Sequence, residues 1–409
     1  MRNKLFVVGV GPGGADQLTF AARETIRGAG CVVAAPRHRA LAGDHPNVIG
    51  LGPFEETFAA VDAALDRGSV AVLVSGDPGV FSLLPLLKKR FPGGELEVIP
   101  GVSSLQSLCA AACETWIDAV VLSGHGRDLS EAKVLDAADQ NKKTIIFCGP
   151  RWDPRRICRL LADWDMEHLR LTVGERLSYG DQRLSRGSPA ELAAHEYDDL
   201  SLVLIENPSP WEKPQARPRD DDFIRADAPM TRETVRSAIL DELRLRRDST
   251  LWDLGAGTGS VTVAAALFCT DGQVCAVEEK SDAAALIARN IKKFHLHNVA
   301  LYGGDNAAVL PSLPRPTHVF VGGSGPELPE LLRAVAALGE GIRVVVSAVA
   351  FKTYAAAAEI LAGPDFRDFD AVQAAVGRAK KIGGTFIMAA QNSVTVFSAF
   401  TAGHQKEGR

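Results

Sequence analysis

The sequence has no run approaching the ~18–20 consecutive apolar residues of a helical membrane span. No membrane partner is therefore expected. No signal peptide is expected at the start of the sequence either. Met1-Arg2-Asn3-Lys4 carries a little positive charge, but the apolar run Leu5–Val10 is broken at once by Gly11-Pro12-Gly13-Gly14, which suits a buried strand and loop and is too short for a signal peptide. Cysteine is scarce: seven residues, an odd number, with no CxxC pair. That argues against a disulfide framework or zinc site, and the expected compartment is the reducing cytoplasm. Cys109 and Cys113 fall on one helical face among Ala and Leu and read as packing. His295-x-His297 ends a helical run with no third ligand nearby, so surface histidines rather than a metal are expected. Basic blocks are absent too. Lys and Arg number 45 against 50 Asp and Glu, and a net charge of −5 leaves no electrostatic footprint for nucleic acid.

What is there is an ordinary α/β composition, 46% apolar, in a chain of 409 residues, long enough for two domains. Strand-like runs alternate with helical ones: Leu5–Val10, Cys31–Ala34, Val70–Val74, Leu96–Ile99, Ala119–Leu122, Thr144–Cys148, Arg170–Val173 and Leu200–Ile205. Four prolines within residues 208–218, followed by Asp220-Asp221-Asp222, mark a linker. The expected division is a domain over 1–208, a linker over 209–219 and a second domain over 220–409. Beyond the linker, Thr231 is expected to cap a helix.

The second domain is organised around Leu251-Trp252-Asp253-Leu254-Gly255-Ala256-Gly257-Thr258-Gly259. An apolar run ends there in three alternating glycines and a helix begins. Such a turn lets backbone amides approach a polar or anionic ligand without Cβ clashes. Nineteen residues after Gly259 a second apolar run ends at Glu278, where an α/β unit places its ribose-gripping acid. Gly304-Asp305-Asn306 follows a third such run. The G-x-G-x-G spacing resembles motif I of the S-adenosylmethionine-dependent methyltransferases with a seven-strand sheet, rather than the G-x-G-x-x-G of nicotinamide proteins. Later strands are expected at Arg343–Val349 and Phe369–Val376, with Thr385–Ala389 paired to Ser393–Ser398 across Gln391-Asn392.

The first domain does contain a literal G-x-G-x-x-G, Gly9 to Gly14. A nicotinamide site is nevertheless disfavoured, because the second strand runs into Ala35-Pro36-Arg37 without a carboxylate and Pro12 interrupts the passage into a helix. Consecutive strands here end in polar loops, Ser75-Gly76-Asp77-Pro78-Gly79, Pro100-Gly101-Val102-Ser103-Ser104 and Ser123-Gly124-His125-Gly126-Arg127. Such loops converge in a crevice at the carboxyl edge of an open sheet.

With these residues in view, the first half resembles the tetrapyrrole (corrin/porphyrin) methylase family, through VGVGPGG at 8–14, SGDPGVFSL at 75–83, IPGVSSLQ at 99–106 and VGERLSYGDQRL at 173–184. The last stretch is characteristic of the branch acting on precorrin-6. The second half resembles the precorrin-6 methylase/decarboxylase family, through DDDFIRADAPMT at 220–231, WDLGAGTGSV at 252–261, VFVGGSG at 319–325, GRAKKIGG at 377–384 and AAQN at 389–392.

The resemblance implies an α/β protein with a two-lobed tetrapyrrole methylase (class III methyltransferase) fold followed by a Rossmann-like class I methyltransferase fold. It implies S-adenosylmethionine at one site per domain. Methylation of carbons 5 and 15 of reduced precorrin-6, with loss of the ring C acetate as carbon dioxide to give precorrin-8X, would follow. Carbon 5 would belong to the first domain, carbon 15 and the decarboxylation to the second.

By position, Gly76, Asp77, Pro78, Ser103 and Ser104 would hold the first cofactor. Thr231, Asp253, Gly255, Ala256, Gly257, Thr258, Gly259, Glu278, Asp305 and Asn306 would hold the second. Substrate-binding candidates are Gly11, Pro12, His125 and Arg127 in the first half, and Gly322, Gly323, Arg378, Lys380 and Lys381 in the second. No catalytic base is identified. Gly322-Gly323-Ser324-Gly325 stands where nitrogen methylases carry an Asn/Asp-Pro-Pro-aromatic motif, which argues against a nitrogen acceptor. Ser123-Gly124-His125-Gly126, Ser347-Ala348-Val349 and Glu327-Leu328 after Pro326 depart from the family pattern beside the expected acceptor pockets. Two other readings compete: a methylase of RNA or protein, and a non-catalytic scaffold for pathway intermediates. A homo-oligomer is expected.

Overall fold

Short, β-branched runs build the first sheet. Strands β1 (Leu5–Gly9), β2 (Cys31–Ala34), β3 (Val48–Gly50), β4 (Val70–Val74) and β5 (Leu96–Ile99) lie in the order β3-β2-β4-β1-β5, all parallel. β2 and β4 are buried throughout, as continuous apolar runs in a parallel sheet must be. All four long strands therefore deliver their carboxyl ends to one edge.

The chain then crosses into a second sheet of β6 (Ala119–Ser123), β7 (Lys143–Phe147), β8 (Arg170–Glu175), β9 (Arg183–Gly187) and β10 (Ser201–Glu206), ordered β6-β7-β10-β8-β9 and parallel only between β6 and β7. The crossing is made at Pro100–Ser103. The helix Ser104–Ala112 that follows β5 sends Leu105, Leu108 and Cys109 into the core of the second sheet, against Ile145, Leu202 and Leu204. Ser103 starts this helix with a capping box: its own N–H donates to Gln106 Oε1 (2.8 Å) and its Oγ accepts from Leu105 N–H (3.3 Å).

This computed structural model describes residues 3–92, 96–125, 129–214, 216–225, 230–322 and 327–403. It divides into two units, Met1–Glu212 and Lys213–Arg409. In the second unit, strands β11 (Thr250–Leu254), β12 (Gln273–Glu278), β13 (Val299–Gly303), β14 (His318–Gly322), β15 (Arg343–Ala348), β16 (Phe366–Ala374) and β19 (Val394–Thr401) form one sheet ordered β13-β12-β11-β14-β15-β19-β16. Six run in one direction, while β19 runs antiparallel to both its neighbours, β15 and β16. Trp252, Leu254, Val277, Val319, Val344 and Phe397 lie in one core cluster on this sheet. On the sheet's other side Arg343, 2% exposed, pairs with Glu242 (3.1 Å), which also accepts from Ser398 Oγ (2.9 Å) and so ties the helix Glu233–Leu243 to β15 and β19.

Several expectations need correction. Thr385–Ala390 (β18) does not pair with the last strand. It pairs with Gly377–Ile382 (β17) in a separate two-stranded arm. The turn is Gly383-Gly384, with Gly383 at φ +60°, the positive φ that two-residue hairpins require. β3 and β9 were not expected; both are edge strands, and neither has a buried residue to mark it. Thr231 is not the cap of the helix Glu233–Leu243; Arg232 occupies that position, without a side-chain cap. Cys113 is not packed beside Cys109. It lies just past its helix at φ +61°, exposed, while the other six cysteines are buried. His297 is buried rather than a surface residue.

Candidate functional site

In the second unit the glycine loop joins β11 to the helix Ser260–Phe268. Gly255, Gly257 and Gly259 all have positive φ (74°, 60° and 76°), so each fits only where a Cβ is absent. A Cβ on Gly255 would also run into the Gly322 carbonyl oxygen, which brings the end of β14 against the loop. The loop is pinned to β12: Gly255 and Ala256 N–H donate to Val277 O (3.0 and 3.1 Å), and Gly257 N–H donates to Glu278 Oε2 (2.8 Å). Glu278 Oε1 accepts from Lys280 N–H (3.1 Å). Each carboxylate oxygen keeps a further lone pair for a ligand hydroxyl.

Gly304 N–H donates to the Glu278 backbone carbonyl (3.1 Å), which ties the loop after β13 to the end of β12; Asp305 caps the short helix Asn306–Val309. Asp253 is fully buried, with Oδ2 accepting from Thr262 Oγ1 (2.5 Å); burial pushes its carboxyl up to about 6. Asp253 Oδ1 and Thr258 Oγ1 are buried without a hydrogen-bond partner among the described residues. Buried polar atoms of this kind are rare in native structures; Thr258 belongs to the glycine loop and Asp253 stands two residues before it.

Thr231 reaches this loop through its backbone, its carbonyl accepting from Ser260 Oγ (3.3 Å). Asn290 does more. Its Nδ2 donates to Thr258 O (3.0 Å) and Ile224 O (3.2 Å), while its Oδ1 accepts from Ile224 N–H (2.9 Å). The sequence reading missed this clamp, whose partners lie 32 and 66 residues away, so no local motif announces it.

Arg378 closes on Glu233 (2.6 Å) and holds that carboxyl below its usual range. The pair lines a cavity of ≈ 210 Å³ with Arg219, Arg225, Arg232 and Asp220. Lys380 and Lys381 stand exposed on the arm and do not line it. Gly323 lies outside the described residues. A larger cavity of ≈ 350 Å³ lies between 213–218 and the far ends of the helices Glu233–Leu243 and Ser260–Phe268, away from the glycine loop. Size does not pick out the site here.

In the first unit three strand ends converge. Gly11 and Gly76 exchange backbone hydrogen bonds (2.7 and 3.3 Å). A Cβ on Gly9 would stand 2.6 Å from Gly101 N, 2.7 Å from Gly76 O and 2.7 Å from the Pro78 ring, so only glycine permits this approach. Asp77 locks the arrangement, accepting from Gly79 N–H (2.7 Å) and Gly101 N–H (3.1 Å). Ser103 and Ser104 lie against Gly76, whose Cβ position is 3.5 Å from Ser103 Cα and 3.6 Å from Ser104 N. Pro12 follows Gly11 in the same loop, and no helix starts before Ala15. Gly14 N–H donates to Ser178 Oγ (3.3 Å), so the first loop also touches the segment between β8 and β9. His125 lies two residues past the end of β6, beside Gly149, with its N–H donating to Ser123 Oγ (3.2 Å). Arg127 lies outside the described residues.

Two family models match the chain: tetrapyrrole (corrin/porphyrin) methylases over residues 4–193 and the precorrin methyltransferase domain over residues 222–401. The protein is thus an S-adenosylmethionine-dependent methyltransferase of the tetrapyrrole class, and its first unit has the tetrapyrrole methylase fold. Over 354 residues it is 30% identical to a precorrin-6Y C(5,15)-methyltransferase [decarboxylating] from a Sinorhizobium species, a match spanning 84% of each chain. The chain belongs to the precorrin-6Y C(5,15)-methyltransferase (decarboxylating) family. Its second half is 39% identical over 184 residues to a probable cobalt-precorrin-6B C(15)-methyltransferase (decarboxylating) of Pyrobaculum calidifontis, covering 44% of this chain and 94% of that one. A solved precorrin-6y C5,15-methyltransferase from Geobacter metallireducens GS-15 superposes at a TM-score of 0.44 with 31% identity, over 47% of this chain and 100% of that one.

Proposed function

We propose that the two units divide the family's reaction, each with its own S-adenosylmethionine site. The first unit methylates carbon 5 of reduced precorrin-6, and the second, a class I methyltransferase fold, methylates carbon 15 and decarboxylates the ring C acetate. One observation carries this reading: two separate sheets each end in a glycine-lined crevice, Gly9–Gly76–Gly101 in one unit and Gly255–Gly257–Gly259 in the other. The relative matching only the second half carries a name that states carbon-15 methylation with decarboxylation.

When bound, S-adenosylmethionine supplies an electrophilic methyl group, so the protein's contribution is chiefly alignment. In the second unit Glu278 offers lone pairs to a ribose diol, Asp305 and Asn306 flank a base, and Thr258 and Asp253 offer buried polar atoms. Gly255, Ala256, Gly257 and Gly259 keep the loop thin, and Thr231 roofs it through its carbonyl. In the first unit Gly76, Asp77, Pro78, Ser103 and Ser104 form the corresponding cradle. Substrate carboxylates call for cationic partners; Arg378 at its cavity, with Gly322, serves the second unit, and Gly11, Pro12 and His125 border the first. Self-association belongs to the reading, supported by exposed Ile382, Phe386, Ile387 and Met388 on the β17–β18 arm.

The test is the mass of the tetrapyrrole product from reduced precorrin-6, with the full chain and two glycine variants. Wild type adds two methyls and loses one carbon dioxide. Gly9→Ala, which forces a backbone clash in the first crevice, keeps one methylation and the decarboxylation; Gly255→Ala leaves only carbon-5 methylation. Loss of both methyl transfers from either folded variant would refute the division of labour.

A further inference from the structure

The carboxyl edge of the first sheet carries a group of side chains that the cofactor crevice does not use. β2 ends at Ala34 and leads into Arg37 and His38; β4 ends at Val74 and leads into Ser75. Arg37 Nη2 donates to Ser75 Oγ (2.9 Å) and Arg37 Nε donates to His38 Nε2 (3.3 Å), while Ser75 Oγ and His38 Nε2 are 3.0 Å apart. A guanidinium can only donate, so His38 Nε2 is an acceptor and the imidazole proton sits on Nδ1. His38 is 3% exposed, and its Nδ1 is buried without a partner among the described residues. Burial, and then the neighbouring Arg37 charge, push the imidazole down to about 4, which keeps it neutral at ordinary pH.

The arginines of this unit fall into two groups, and Arg23 and Arg186 donate only to backbone carbonyls among the described residues. Arg27, Arg90, Arg155, Arg156, Arg176 and Arg183 each meet a carboxylate. Arg37 meets only neutral groups among the described residues. Of the roughly five guanidinium N–H donors, two are used in holding the fork still, and the others remain on an exposed side chain. A stiffened, uncompensated guanidinium is the arrangement that recognises a carboxylate bidentately. Ser75 directly precedes Gly76, so this fork stands beside the crevice.

We propose that Arg37, held by His38 and Ser75, is the receptor for a carboxylate side chain of the tetrapyrrole in the first unit. This rests on the reading that the first unit methylates such a substrate. Arg37 acts by binding. His38 and Ser75 are positioning residues: they carry no charge that would compete with the substrate, and they fix the plane in which its carboxylate is met.

The test uses the full chain, measuring carbon-5 methylation for wild type, Arg37→Gln, Arg37→Lys and His38→Asn. Arg37→Gln raises the KM for the tetrapyrrole roughly tenfold or more, as loss of a charge-assisted pair should, while the KM for S-adenosylmethionine and kcat change less than about threefold. Arg37→Lys and His38→Asn fall between, because each keeps a cation but loses the fixed fork. An unchanged tetrapyrrole KM in Arg37→Gln overturns the proposal, as does a parallel rise in the KM for S-adenosylmethionine. A second measurement separates this from failure of the functional reading. If wild type methylates no reduced tetrapyrrole, that reading fails, and titration of uroporphyrin, a stable polycarboxylate tetrapyrrole, then decides the role of Arg37. Binding to the Arg37→Gln chain weakened at least about fivefold supports the receptor; equal binding removes it.

Discussion

Asp253 illustrates how a ligand site can work against the protein that carries it. Its carboxyl is fully buried and satisfied on one oxygen only, and burial holds it at about 6, above the usual 3.8. A raised value means that the folded chain binds this proton more tightly than the unfolded one. The stabilisation is complete below 3.8 and is lost as pH rises through about 6. Above that the ionised carboxylate costs on the order of 3 kcal/mol. Asp253→Asn should therefore raise the melting temperature of the cofactor-free protein near pH 7.5 and flatten its dependence between about pH 4 and 6. Thermal melts across that interval check this, and an unaltered pH profile would show that the buried carboxylate is compensated. At the same scale, the glycine turn through Gly255, Gly257 and Gly259 and the strand end at Glu278 were legible as local backbone features, because one turn and one strand carry them. Asn290 and the Arg37–His38–Ser75 group were not, since their partners come from other strands and helices.

Elements divided along the same line. Strands that are buried on both faces, such as β4 and β11, were readable as apolar runs. The edges β3 and β9 and the β17–β18 arm were not. Every described residue of β17 is exposed, so no buried face marks its register. Gly383-Gly384 held the turn signal, yet Gln391-Asn392 offered a competing one eight residues on. An antiparallel ribbon with Phe386 and Met388 exposed by 68% and 69% is a surface that soluble proteins usually cover. Replacing Ile382, Phe386, Ile387 and Met388 by serine should convert an oligomer to monomer in sedimentation velocity. A wild-type chain that already sediments as a monomer would remove self-association from the reading.

The whole molecule is two units, each with its own sheet-borne cores: Leu5, Val33 and Val72 share one in the first, Trp252, Val319 and Phe397 another in the second. Units with separate cores melt separately when little couples them. Calorimetry of the full chain should give two transitions. Saturating S-adenosylmethionine should raise both, by about 2.7 kcal/mol at a concentration of ~100 Kd. In Gly255→Ala only the transition of the first unit should still respond. A cofactor response confined to one transition in wild type would contradict two sites. The two-domain plan was readable from the proline cluster at 208–218 and from two glycine-rich strand ends.

Six of the seven thiols are enclosed, and burial pushes Cys148, Cys158 and Cys269 up to about 12, far from the reactive thiolate. Cys113 alone is presented to solvent, at the end of the helix that begins with Ser103 and Ser104. A maleimide dye added to the native chain would therefore attach at one position, at the opposite end of that helix from the first crevice. The protein arrives with its own attachment point for a fluorescent reporter of ligand entry, no engineered cysteine required.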